Sequence, residues 1–266
     1  MSTVNPDLPV VSSFLQNGFH RYLKGLLRRN FHTVAVAEDS LSAADVPPDQ
    51  PLIVFANHPG WWDPLVAHWV CRHVLKNRQF YAPIDAIALQ QYRVLGKLGF
   101  YGVRSDTTAG IAAFLKTSRA ILNTPGSSIW ITPTGRFADP RETDVEFAHG
   151  LGHLCSRIDR GTLLPLAMEY SFWEERLPEC LLRFGQPILI EQHPLRDKAA
   201  WTEYLFERLR ETQQNLAELV IARDAAAFRP VLHGGKGAGR VYDLFRRLRS
   251  WWSGRELSAQ HGKKFS

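Results

Sequence analysis

Pro51-Leu-Ile-Val-Phe-Ala56 is an unbroken apolar run, the pattern of a β-strand covered on both faces. Such a strand needs a layer of structure on each side of its sheet. The segments around it alternate accordingly. Asp63–Asn77 reads as a helix, Phe80–Ala88 as a strand, Gln91–Leu98 as a short helix and Phe100–Arg104 as a strand. Thr107–Asn123 carries helical periodicity through Ile111, Phe114, Leu115 and Ile121 and stops at Pro125-Gly126; Ser128–Thr132 is again an apolar strand. Thr162–Tyr170 and Leu181–Ile190 follow as strands, the second interrupted by Gly185 and Pro187, before a long amphipathic helix over Trp201–Ala222. This order predicts an α/β fold: a mixed, largely parallel central sheet flanked by helices, with amphipathic helices at the two termini. With 266 residues, 45% of them hydrophobic, the chain suffices for one large domain. The expected divisions are an N-terminal amphipathic helix over 1–31, the α/β domain over 32–223, and a flexible joint, basic amphipathic helix and polar tail over 224–266.

Directly after the apolar run comes Asn57-His58-Pro-Gly-Trp-Trp-Asp63-Pro64. It sets a histidine and a carboxylate five residues apart, between a strand and a helix. Histidine is suited to proton transfer near neutral pH, and a carboxylate beside it fixes the tautomer and stabilises the charged form. In a chain with ten histidines this spacing alone has little weight. Asp63 before Pro64 also fits a helix cap with proline at the first helical position. The sequence leaves capping and proton transfer both open, and the two can coexist. In parallel sheets function collects at the carboxyl ends of strands. Read in order, those ends are Asn57-His58, Val103-Arg104-Ser105, Pro133-Thr134-Gly135-Arg136 and the Pro165 region, and three of the four carry a charged or titratable side chain.

The net charge of +6 concentrates at the ends of the chain. Over Val10–Arg29, apolar residues recur at three- and four-residue steps around Arg21, Lys24, Arg28 and Arg29, with no acid among them. After His233-Gly-Gly-Lys-Gly-Ala-Gly239 the pattern returns over Arg240–Trp252, where arginines accompany Trp251 and Trp252. Such helices either pack on a core or lie in a lipid headgroup layer. Neither a recognised basic motif nor an aromatic sheet face for nucleic acid is present, so the expected partner is an anionic membrane surface and no nucleic acid is expected. Three dispersed cysteines without CxxC spacing fit a reducing compartment. The first residues lack a secretory pattern, and no apolar stretch approaches about 18 residues. The expected location is cytoplasmic, peripheral on the inner face of the membrane.

On the motifs Asn57-His58-x4-Asp63, Gly99-Phe-Tyr-Gly102-Val103-Arg104, Thr132-Pro133-Thr134-Gly135-Arg136-Phe137 and Leu163-Leu-Pro165-Leu-Ala167, the chain resembles the glycerophospholipid acyltransferase family, which includes the lysophosphatidic acid acyltransferases. Order and spacing agree over roughly residues 50–170. The resemblance implies transfer of a fatty acyl group from acyl-CoA or acyl carrier protein to a lipid hydroxyl, as a step of phospholipid biosynthesis. His58 would be the general base and Asp63 its orienting partner; no cofactor or metal is implied. Arg104, Pro133, Thr134, Gly135 and Arg136 would hold the acceptor, the guanidinium forks suiting its phosphate. Trp61 and Trp62 would line an acyl entrance or else pack in the core, and the helix starting at Asp63 would offer N–H groups to developing negative charge. In the third motif, Thr134 stands where the family has glutamate and Arg136 follows the glycine directly. That departure points to an acceptor other than plain lysophosphatidic acid, such as another lipid hydroxyl, including a glycosylated carotenoid.

Other readings have less support. No Gly-x-Ser-x-Gly elbow marks a serine hydrolase. A metal reading would use His58, Asp63, His68 and His73, or His149 and His153. Five residues on a helix turn by about 500°, so successive members of the first set lie roughly 140° apart. Gly150 and Gly152 are poor helix formers between the second pair. A non-catalytic peripheral lipid-binding protein is the remaining alternative, and acyl-thioester turnover distinguishes it from an enzyme.

Overall fold

A computed structural model describes residues 5–235 apart from 77, 105, 143 and 194–196. Helix α1 (Ser13–Asn30) leads into β1 (Thr33–Ala37), a 3-10 turn over Glu38–Ala44, β2 (Leu52–Ala56) and α2 (Asp63–His73). Then come β3 (Gln79–Asp85), the short helices α3 (Ala86–Gln91) and α4 (Val94–Lys97), β4 (Phe100–Val103), α5 (Thr108–Leu122) and β5 (Ser127–Ile131). The chain continues through α6 (Gly150–Cys155), β6 (Thr162–Ser171), β7 (Glu179–Phe184), β8 (Ile188–Leu189), α7 (Lys198–Ala222) and β9 (Phe228–His233).

The strands form one sheet in the order β4-β3-β5-β2-β6-β7-β1-β9, with β8 paired to the start of β6. From β4 to β6 all neighbours are parallel. β7 then runs antiparallel to β6, β1 parallel to β7, and β9 antiparallel to β1. The expected mixed, mainly parallel sheet flanked by helices is what forms, and the carboxyl ends of its five parallel strands lie along one edge.

β2 sits near the middle, and all five of its residues are buried. Leu52, Val54 and Ala56 face a core shared with α1 and α2, while Ile53 and Phe55 face a core shared with α5, α6 and α7. Burial of each large apolar side chain contributes about 1.5–3 kcal/mol, so β2 anchors both layers. On α1, Leu23 and Leu27 pack inward, whereas Phe14, Arg21, Tyr22, Lys24, Arg28 and Arg29 are exposed.

Several elements depart from the sequence reading. The Asp85 side chain accepts from the N–H groups of Ile87 and Ala88, so a helix begins inside the stretch read as strand, and two short helices replace the single one over 91–98. The strand read over 181–190 is two strands, because Gly185 turns away beneath Pro165 and Thr212; a Cβ there would lie 2.3 Å from Thr212 Oγ1. Gly150 and Gly152 lie inside α6: at Gly152 a Cβ would come 2.5 Å from the Lys198 carbonyl oxygen, so glycine lets α6 seat on α7. The division at 223 also shifts. Residues 228–233 form β9 against β1, with Pro230 on the outermost strand, where a missing N–H costs no sheet hydrogen bond. The helix expected over 240–252, most of the glycine-rich joint and the polar tail lie outside the described residues.

Candidate active site

His58 leaves the end of β2 on a loop clamped from both sides. The buried Asn57 amide donates to the Met168 carbonyl (2.9 Å) and accepts from the Met168 N–H (2.8 Å), tying the loop to β6. On the other side Ala138 N–H donates to the His58 carbonyl at 3.0 Å. The chain then turns at Pro59-Gly60 and re-enters regular structure at Asp63, where Pro64 starts α2 without needing a donor.

That turn brings the two side chains together. His58 Nδ1 and Asp63 Oδ2 are 2.5 Å apart, and Gly60 N–H donates to the same oxygen at 2.9 Å. Tyr170 donates its hydroxyl proton to the other carboxylate oxygen, Oδ1. The carboxylate therefore accepts three hydrogen bonds and caps nothing in α2, whose cap residue is Trp62 with no side-chain bond. Because a carboxylate is an acceptor, Nδ1 carries the ring proton and Nε2 is the basic nitrogen. Nε2 has no hydrogen-bond partner among the described residues. The Asp63 side chain is 1% exposed and that of His58 19%, so the carboxylate is sealed and the imidazole reaches the surface.

The loop after β5 forms the facing wall. Gly135, in left-handed conformation (φ 63°), closes a turn through its N–H to the Thr132 carbonyl at 3.1 Å, and Thr134 Oγ1 donates to the Arg136 carbonyl. Phe137 then sets its ring edge-on to His58, centroids 4.6 Å apart. Farther along, Phe147 packs on Phe206, and Arg210 of α7 donates to the Glu142 carbonyl. A narrow cleft between loop and helix is lined by Asn57, His58, Thr134, Phe147, Phe206 and Arg210. A larger cavity lies toward the amino end of β6, away from this edge. Its Arg183 and Arg208 are paired with Asp39 and Glu211, whereas the His58 cleft holds the imidazole bonded to Asp63 beside the 133–136 turn, so the candidate chemistry is assigned there.

The other sequence-predicted residues divide. Pro133, Thr134, Gly135 and Arg136 all lie in the wall beside His58. The Arg136 guanidinium is engaged by Glu142, which holds its pKa above the usual arginine value. Arg104 sits exposed at the end of β4, with no ion pair among the described residues. Two strand spacings, about 10 Å, separate β4 from β5. Trp62 is committed to packing on Phe31 (5.0 Å), whereas Trp61 is 63% exposed. The first N–H groups of α2 are used: Asp63 donates to Gly60, Leu65 and Val66 donate to Trp62, and Pro64 has none. The N–H groups of Asp63, Leu65 and Val66 are thus already bonded within the turn.

The histidine ladder dissolves into packing. His68 is buried against Phe80 (4.0 Å), shares a 3.0 Å hydrogen bond with the Leu98 carbonyl, and is pushed down to about 3 by burial. His73 stacks on Trp69 at 3.8 Å. Among the described residues no three His, Cys, Asp or Glu side chains converge as a metal set. Tyr170 is the participant the sequence reading missed. It follows Leu164, Leu166 and Met168 at steps of two, so alternation along β6 places it on the Asp63 side of the sheet.

No described helix is long and apolar enough to cross a membrane. No curated protein matches the chain. Residues 40–169 match the acyltransferase family model, a span that begins ahead of β2 and ends in β6. It contains the His58–Asp63 pair, Arg104 and the turn at 133–136, and over this segment the chain is similar to the acyltransferase family.

Proposed function

We propose that the protein transfers a fatty acyl group from an acyl thioester, acyl-CoA or acyl carrier protein, to a hydroxyl of a lysophospholipid-type acceptor. The observation that carries this reading is the 2.5 Å His58 Nδ1–Asp63 contact, with Nε2 left at the cleft, inside a segment matching the acyltransferase model. His58 Nε2 takes the acceptor hydroxyl proton as the oxygen attacks the thioester carbonyl. The resulting imidazolium is stabilised by the Asp63 carboxylate. The tetrahedral adduct then collapses, the C–S bond breaks, and the departing thiolate takes the proton from Nε2. A thioester is already activated, so base, orientation and charge stabilisation suffice without a covalent enzyme intermediate or a cofactor.

Arg104 and Arg136, on either side of β3, are assigned to the acceptor's anionic group, with Arg136 exchanging Glu142 for that group. Trp61 is assigned to the acyl entrance, and the exposed basic face of α1 to an anionic membrane surface on the cytoplasmic side. Thr134, which leaves no carboxylate in the turn, favours an acceptor other than plain lysophosphatidic acid.

The test is thiol release from acyl-CoA across a panel of hydroxyl-bearing lipids. Wild type is expected to turn over with at least one acceptor. His58→Ala is expected to lose roughly 10³-fold or more in kcat while unfolding at the same temperature. Equal rates in wild type and variant would remove His58 as the base. Absence of turnover with every acceptor, together with acyl-lipid binding, would identify a lipid-binding protein instead.

A further inference from the structure

We propose that Tyr170 is a positioning residue: its hydroxyl fixes the Asp63 carboxylate and, through it, the catalytic tautomer and aim of His58. The inference rests on the acyl-transfer reading of the His58–Asp63 pair and adds a third member from a distant strand. His58 and Gly60 both bond Oδ2, which leaves the carboxylate free to rotate about the bond that carries it. The Tyr170 hydroxyl takes Oδ1, so both oxygens are held and the plane of the carboxylate is set.

The phenol is itself held rigidly. β6 is locked to β2 in parallel register, Ala56 beside Leu166, and the Asn57–Met168 hydrogen bonds fix the strand two residues before Tyr170. Phe31 covers the ring, centroids 5.6 Å apart, and Gly60 lies under its edge, where a Cβ would be 3.9 Å from Cε2. Burial raises the phenol pKa well above 10, and the Asp63 charge with its hydrogen bond adds to this, so the hydroxyl remains a donor at any pH where histidine acts as a base. The other ionisable group facing it is the Cys180 thiol on β7, itself kept neutral by burial and by the Asp63 charge. Tyr170 reaches no cleft atom of its own, and its influence on the reaction passes through Asp63.

Tyr170→Phe tests this, because it keeps the ring that packs on Phe31 and removes only the donor. Losing a charge-assisted hydrogen bond to a buried carboxylate corresponds to about 10- to 100-fold in kcat, with both KM values within about twofold of wild type. The carboxylate left with two donors attracts the His58 proton more strongly. The acid limb of the kcat/KM profile should therefore move about 0.5–1 pH unit higher. A readout independent of turnover is the low-field proton resonance of the His58 Nδ1–H bond to Asp63, which should move farther downfield in the variant.

Unchanged kcat, pH profile and proton resonance in Tyr170→Phe would overturn the inference and leave the role of His58 standing. A fall in kcat with neither the acid limb nor the proton resonance moved would assign Tyr170 to packing alone and equally overturn it. If wild type transfers no acyl group to any acceptor, the proton resonance alone still decides whether Tyr170 holds Asp63.

Discussion

Asp63→Asn isolates the charge of the Asp63 carboxylate from its shape. The native carboxylate accepts from His58 Nδ1 and Gly60 N–H on Oδ2 and from the Tyr170 hydroxyl on Oδ1. The amide can be placed in two ways. With its oxygen at the Oδ2 position, it still accepts from His58 and Gly60, and the NH2 group faces Tyr170, whose hydroxyl turns to accept. The geometry then survives, but the protonated imidazole loses its counter-charge. With NH2 at the Oδ2 position, it meets the Gly60 N–H donor and drives His58 to the tautomer protonated at Nε2, where it is no base. In a buried dyad, loss of charge and correct tautomer together costs about 10³–10⁴-fold in kcat, equivalent to roughly 4–5.5 kcal/mol. Stability should change little, since a buried charge is exchanged for a neutral group of the same volume. The assay is thiol release under single-turnover conditions, with the unfolding temperature measured in parallel. A rate within tenfold of wild type from a folded Asp63→Asn enzyme would show that the carboxylate does not orient the base.

Two further outcomes concern stability near the site. Glu179, 2% exposed at the start of β7, is pushed up to about 8 by burial and by the nearby Glu175 charge. The folded state thus keeps a proton that the unfolded chain releases near 4.5. The stabilisation is full below about 4.5 and is lost as pH rises through about 8. Glu179→Gln should therefore unfold at a higher temperature than wild type near pH 8, by an amount on the order of a few kcal/mol, with the difference shrinking toward pH 4; a pH-independent difference would contradict the linkage. At Gly110, in the first turn of α5, a Cβ would lie 2.0 Å from the Arg104 carbonyl oxygen and 2.6 Å from its Cβ. Gly110→Ala should cost about 1–3 kcal/mol in thermal unfolding and raise the acceptor KM by displacing Arg104; an unchanged unfolding temperature would mean that α5 and the β4 end do not meet.

Much of the architecture was written locally. The apolar run 51–56 forms a strand buried on both faces, and the periodic stretch 107–123 forms a helix, because alternation and helical spacing are properties of neighbouring residues. The His58–Asp63 pairing belongs to the same class, since a Pro-Gly turn only five residues long closes it. Two of the elements the sequence did not reveal were hidden for opposite reasons. Gly150 and Gly152 read as helix breakers, yet α6 forms because its close approach to Thr202 and Lys198 admits no side chain. Arg229 and Pro230 obscure β9, yet that segment is a strand because the edge of β1 offers backbone groups to pair.

What the sequence by itself determined is the fold class, the parallel centre of the sheet and the loop that joins imidazole to carboxylate. Only the tertiary structure decided that the Asp63 carboxylate bonds His58 rather than capping α2, that Trp62 packs against the core, that Arg136 is paired with Glu142, and that Tyr170 bonds Asp63. Asp63 and Tyr170 are 107 residues apart, as Asn57 and Met168 are 111. Local patterning sets the period of each element, but such meetings depend on the register of β6 against β2, which is fixed when both faces of the sheet are packed.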